Sequence, residues 1–154
     1  MSTGTSLVAF KQASVAGLAA RPGLADVCVL YEFPYGSNPV RSMWFAGAES
    51  DNSIPVMRAG TKKVDEEYVV TLVVQVLKTQ GEGQPACDLD AAALLAEVQQ
   101  FYAENPQITP EIMWAQVGGW EQSIGPFGVA DGGDANRGSR FEVRIVVRAR
   151  LFPS

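Results

Sequence analysis

The chain has 154 residues, 47% of them hydrophobic and 19% charged, with a net charge of −5. That length suits one domain, and ordinary apolar content with so modest a charge excludes global disorder. No unbroken apolar stretch approaches the roughly 20 residues of a transmembrane helix, and so acidic a chain is poorly suited to gripping nucleic-acid phosphates over its whole surface.

Residues Ser6 to Ala20 read as an amphipathic helix. Leu7, Phe10, Ser14 and Leu18 recur at helical spacing, Val8 and Val15 widen the stripe, Thr5 or Ser6 supplies the N-cap, and Arg21-Pro22-Gly23 ends it. No basic residue precedes Leu7 and Lys11-Gln12 interrupts the apolar run, so this segment is not expected to be a secretory signal. Asp26 to Phe33 alternates as a strand with Val27, Val29, Tyr31 and Phe33 on one face, and the turn formers of Pro34 to Pro39 break it. A second strand is expected over Arg41 to Ala48, then a loop, with Ile54 to Arg58 as a short edge segment. Tyr68 to Leu77 is the strongest strand, apolar on both faces and therefore central.

After the flexible Gln80 to Pro85, Asp88 or Asp90 is expected to cap a helix running to about Glu104, with Leu94, Leu95, Val98, Phe101 and Tyr102 as its buried stripe. Ile112 to Val117 reads as a modest strand. Seven of the 15 glycines then fall between Gly118 and Gly138, which predicts a long loop. In the last element Phe141, Val143, Ile145, Val147, Ala149 and Leu151 alternate with Arg140, Glu142, Arg144, Val146, Arg148 and Arg150, the pattern of a half-buried strand with a basic outer face. The order α-β-β-β-α-β-β implies an α+β fold over residues 1–154: a mixed or antiparallel sheet with both helices on one face.

Histidine is absent. This removes the Ser-His-Asp and Cys-His nucleophile pairs and the usual zinc and iron ligand sets. Cys28 and Cys87 make neither a disulfide framework nor a metal cage and read as free thiols. Asp131-Gly132-Gly133-Asp134 lacks the ligand spacing of a calcium loop, and Gly125-Pro126-Phe127-Gly128 is not a phosphate loop. No metal, cofactor or catalytic residue is therefore assigned. The charged run Lys62 to Glu67 reads as the solvated end of a strand. A competing reading, a small enzyme using carboxylates, would centre on Glu49 and Asp51. Trp44, Trp114 and Trp120 read as core or interface aromatics. The most informative polar feature is the row Arg144, Arg148 and Arg150, spaced at about 6.8 Å per two residues along one face. It reads as a solvated face, as an inter-subunit interface, since arginine is favoured over lysine at interfaces and this strand has no lysine, or as a nucleic-acid contact, against which the acidic whole argues.

The whole layout, from Leu7 to Leu151, resembles the tail terminator (tail completion) proteins of long-tailed, non-contractile bacteriophages. The residues carrying the likeness are the Val29-Leu30-Tyr31-Glu32-Phe33-Pro34 strand, Gly60 to Tyr68 leading into the apolar strand, the Ala93 to Val98 helix, and Arg137-Gly138-Ser139-Arg140-Phe141 opening the last strand. The resemblance implies a structural virion protein, not an enzyme. It would form a hexameric ring at the head-proximal end of the tail, after assembly in the bacterial host cytoplasm. Its partners would be the major tail tube protein and a head-to-tail connector protein, with neither membrane nor sequence-specific nucleic acid, although genome DNA would pass through the lumen. Another neck protein, such as a head-closure ring, is the nearest alternative.

Three expectations follow from the residues. The second apolar face of the central strand, on Val69, Val73 and Leu77, needs cover that two helices on the other side cannot give. The row Arg144, Arg148 and Arg150 should pair with acids of a neighbouring strand or subunit, Asp65 and Glu67 being the candidates. The glycine-rich segment from Ile124 to Ser139, with Phe127 and Val129, should find too little contact area within one subunit and gain it at a subunit or tube interface.

Overall fold

The first helix forms where the periodic stripe places it. α1 spans Leu7–Ala19, and Phe10, Ser14 and Leu18 are fully buried, whereas Val8 points outward and is 50% exposed. Its start is held from a distance: Glu66 accepts from the Ser6 amide at 3.0 Å and from the Ser6 hydroxyl at 2.8 Å, while Thr5 Oγ1 accepts from Leu7 N. Glu66 is thus half-buried helix-capping apparatus and not part of a solvated strand end. The computed structural model describes residues 4–50, 64–131, 133 and 135–151; the edge segment expected over Ile54 to Arg58 lies outside them, as do Asp51, Lys62, Lys63, Gly132 and Asp134.

β1 is Cys28–Leu30, β2 Arg41–Glu49, β3 Val64–Thr79, β4 Ile112–Gly125 and β5 Ala135–Leu151, with α2 over Gln84–Glu104 between β3 and β4. The sheet runs β1-β2-β3-β5-β4; β1 is parallel to β2 and every other pair is antiparallel, so the fold is α+β in the expected order. β1 is shorter than the alternation suggests. Val27 and Val29 face the core, but beyond Leu30 the chain leaves the sheet, and the Phe33 ring meets Trp44 edge-on at 5.4 Å on the opposite face.

α2 begins at Gln84, with Pro85 in its first turn, where the missing amide hydrogen has no helical partner to lose. Asp88 and Asp90 therefore do not cap it. Asp88 accepts from Gln84 and Gln122, and Asp90 pairs with Arg41 at 2.7 Å and Lys78 at 3.6 Å, tying the helix to β2 and β3. Its stripe of Leu94, Leu95, Val98, Phe101 and Tyr102 is buried as expected, extended by Cys87 and Ala91. Cys87 and Cys28 are both free, the first buried with its thiol pushed up by desolvation, the second exposed. Arg21 joins the end of α1 to α2 through Glu97 and Glu104, each at 2.9 Å.

Both helices cover the face built from Tyr68, Val70, Leu72, Val74 and Val76 of β3 with Phe141, Val143, Ile145 and Val147 of β5. Burial holds the phenols of Tyr68 and Tyr102 protonated well above the ordinary tyrosine range. The helices meet where Gly17 leaves room: a Cβ there would lie 2.5 Å from the Phe101 ring. Gly17→Ala is expected to lower stability by about 1–2 kcal/mol, because overpacking of about 1–3 kcal/mol outweighs a helix-propensity gain of up to about 1. Urea unfolding checks this, and an unchanged midpoint would show that the Phe101 ring has room to move.

The expected long loop is mostly strand. Gly119 to Gly125 pair with Arg144 to Gly138, so the connection narrows to 126–134. Consecutive glycines read as breakers in isolation, but here they sit in β4 at a register shift between Val117 and Gly119.

Candidate functional site

Side chains alternate across the pleat, so the face turned away from the helices takes odd positions of β3 and even positions of β5. Along it the register runs from the Asp65–Arg150 pair, through Glu67–Arg148 and Thr71–Arg144, to Gln75–Arg140. The three arginines picked out from the sequence therefore share one open face.

At its first end Arg150 Nε donates to Asp65 Oδ1 at 2.8 Å, the two side chains 37% and 38% exposed. Arg148 is exposed and stands opposite Glu67 on β3 and Trp114 on β4. Arg144 reaches to 3.9 Å from Glu121, with both side chains more than half exposed. Water screens exposed pairs of this kind, so the row does little for the fold of one subunit.

The second end holds a groove of about 430 Å³, walled by Phe33, Pro34 and Gly36 to Asn38 on one side and by Phe127, Val129 and Asp131 on the other, with Trp44, Gln75 and Arg140 on its floor. Gln75 Oε1 accepts from Arg140 Nε at 3.0 Å and from Nη2, and the guanidinium lies 4.1 Å from the Phe127 ring centroid and 5.8 Å from that of Trp44. Desolvation lowers the Arg140 pKa below its ordinary value, with Glu142 opposing.

Asn38 fastens the two walls. Its side chain donates to the carbonyls of Phe127 and Val129, both at 3.1 Å, and accepts from Gln75; its backbone amide donates to Asp131 Oδ1, and Asp131 N donates back to its carbonyl. Ala130 and Phe127 pack on Leu77, which is wholly buried, and Val73 is 4% exposed. Two expectations are corrected here. The second apolar face of β3 is covered at Val73 and Leu77 by the chain itself, and the glycine-rich connection finds contact area within its own subunit. Only Val69 stays half-buried. Asn38→Ala should remove the side-chain tethers and cost about 1–3 kcal/mol locally. Hydrogen exchange at residues 127–131 should accelerate while β3 and β5 stay protected; unchanged exchange would show that the Phe127–Leu77 contact alone holds the loop.

Phe127 thus belongs to the groove and Val129 to its rim, 62% exposed, at the far end of the face from Arg148 and Arg150. The sequence reading missed Arg140, Gln75, Asn38 and Phe33 as a group. Gln75 was the available signal, a lone amide in the apolar run of Tyr68 to Leu77 that is only 2% exposed. Among the described residues no cluster of three carboxylate or cysteine side chains is arranged to hold a metal, no helix is long and apolar enough to cross a membrane, and Glu49 is exposed at a strand end.

No family model and no curated protein matches the sequence. Among solved structures the chain is similar to one described as "Virion of native gene transfer agent (GTA) particle", with a TM-score of 0.61 at 12% identity over 98% of this chain and 100% of that one. Two helices on one face of a five-stranded mixed sheet are therefore an architecture that this chain shares, end to end, with a chain from a virion particle.

Proposed function

We propose that this protein is a structural component of a phage-like virion, and specifically a tail terminator: a ring, hexameric by resemblance, that docks on the last tail-tube ring, stops tube growth and offers its other surface to the head connector. The observation that carries the reading is the end-to-end structural likeness to a chain of a virion particle. It is supported by an open sheet face whose charged row adds little to subunit stability and whose aromatic groove is exposed. Such surfaces serve association. In this reading Arg144, Arg148, Arg150, Asp65 and Glu67, with Phe127 and Val129, form subunit or tube contacts. The partners are further copies of the chain, the major tail tube protein and the connector, and the location is the head-proximal end of the tail.

The test is tube growth. Major tail protein polymerised in vitro should lengthen steadily, and adding this protein during growth should arrest lengthening at substoichiometric amounts. Tubes that keep growing at the same rate would remove the terminator role. A protein that leaves tubes untouched but joins once another protein has capped them would be a head-closure or connector component.

A further inference from the structure

On the open face Arg144 and Arg150 each have a carboxylate within ion-pair distance, whereas among the described residues Arg140 and Arg148 have none. Arg148 is exposed to water, so Arg140 is the one of the two that is half-buried without an acidic partner. A guanidinium has five N–H donors, and a neutral amide oxygen takes only two of them here. The flat cation is pre-oriented by Gln75, Phe127 and Trp44 and points into a groove with unmet donors.

The rim is equally unusual. Phe33 and Val129, which line the groove, are 49% and 62% exposed, and Tyr35, whose ring meets Phe33 edge-on at 5.3 Å, is 80% exposed. Exposed tyrosine and phenylalanine around a desolvated arginine is the composition of a protein–protein hot spot. A single cation offers a nucleic-acid backbone too few phosphate contacts.

Resting on the virion-ring reading above, we infer that this groove docks a second copy of the chain, whose Glu49 delivers the carboxylate that Arg140 lacks. The chain carries 17 acidic against 12 basic residues, so each copy brings surplus carboxylates. Glu49 ends β2 on the same open face, opposite Val69, and residues 46–50 are all exposed. The segment Ala46-Gly47-Ala48-Glu49 is slim enough for a groove, and β1 pairs with β2 only at Ser42 to Trp44. The register positions of Glu49, at Val69, and of Arg140, at Gln75, are six residue steps apart along β3. At about 3.3 Å each, that is roughly 20 Å, too far for Glu49 to reach Arg140 of its own subunit. Donor and acceptor at opposite ends of one face make a heterologous contact, the kind that closes rings.

The test is sedimentation velocity of the full-length protein over a concentration series. Arg140→Gln and Glu49→Gln should each weaken self-association at least about tenfold. Glu49→Gln should leave thermal unfolding unchanged, whereas Arg140→Gln should unfold cooperatively at a lower midpoint, because the buried Gln75 oxygen loses its two donors. The charge-swapped double variant Arg140→Glu with Glu49→Arg should regain association. Unchanged association in either single variant overturns the proposal, and so does wild-type binding of a single-stranded oligonucleotide that Arg140→Gln abolishes. If the wild type associates only on tube ends, the same variants are scored there by the fraction of tubes capped. Equal capping by Arg140→Gln rejects the groove contact while leaving the terminator reading standing. Wild type that neither associates nor caps defeats both.

Discussion

Arg148→Glu is expected to block ring closure on tube ends while leaving a folded subunit. Arg148 is exposed on β5 and faces Glu67 across the β3 register, so reversal sets two carboxylates opposite one another. Like charges at a directly opposed pair cost roughly 0.2–1 kcal/mol, a shift of only a few degrees in a chain of this size. At a contact between chains the same reversal replaces attraction by repulsion in a desolvated setting, where loss of one charge partner costs about 2–5 kcal/mol. Capping should therefore fall by well over tenfold at a protein concentration that saturates with wild type. Wild-type capping by this variant would return the arginine row to an ordinary solvated face.

Phe10→Ala should produce the largest loss of subunit stability. Its ring is completely buried, stacked on Tyr102 at 5.9 Å and edge-on to Tyr68 at 6.3 Å and Phe45 at 6.4 Å. One side chain thus joins α1 to α2, β2 and β3. Truncating a buried phenylalanine costs about 3–5 kcal/mol, against a total of roughly 5–15 for a domain. The urea midpoint should drop accordingly. A loss below about 1 kcal/mol would show that α1 contributes little to the core.

Which parts of this were legible in the sequence follows from whether the determining contacts are local. β5 was, because Phe141 to Leu151 alternate with only Val146 apolar on the outer face, and burial follows the alternation. α1 was, because its stripe and the Arg21-Pro22-Gly23 stop lie within one short window. The start of α2 was not. Asp88 and Asp90 look like caps, yet their partners are Gln122, Arg41 and Lys78, which only the tertiary fold supplies. Gly118 and Gly119 read as breakers because the strand that pairs with β4 comes later in the chain.

The site divides the same way. The shared face of Arg144, Arg148 and Arg150 follows from a period of two and needed no structure. The groove needed Asn38 to meet Phe127, Val129 and Asp131, about 90 residues away. No spacing rule brings such segments together. The cover that they give Leu77 was unforeseeable for the same reason, and with it the motive for an apolar subunit interface shrinks from the whole second face of β3 to Val69 and the exposed rim.

The central claim is tested most directly by negative-stain electron microscopy of the purified protein mixed with preformed tail tubes. A terminator should appear as one ring seated on a single end of each tube, with the sides bare. Tubes with both ends open, or protein scattered along their sides, would contradict it.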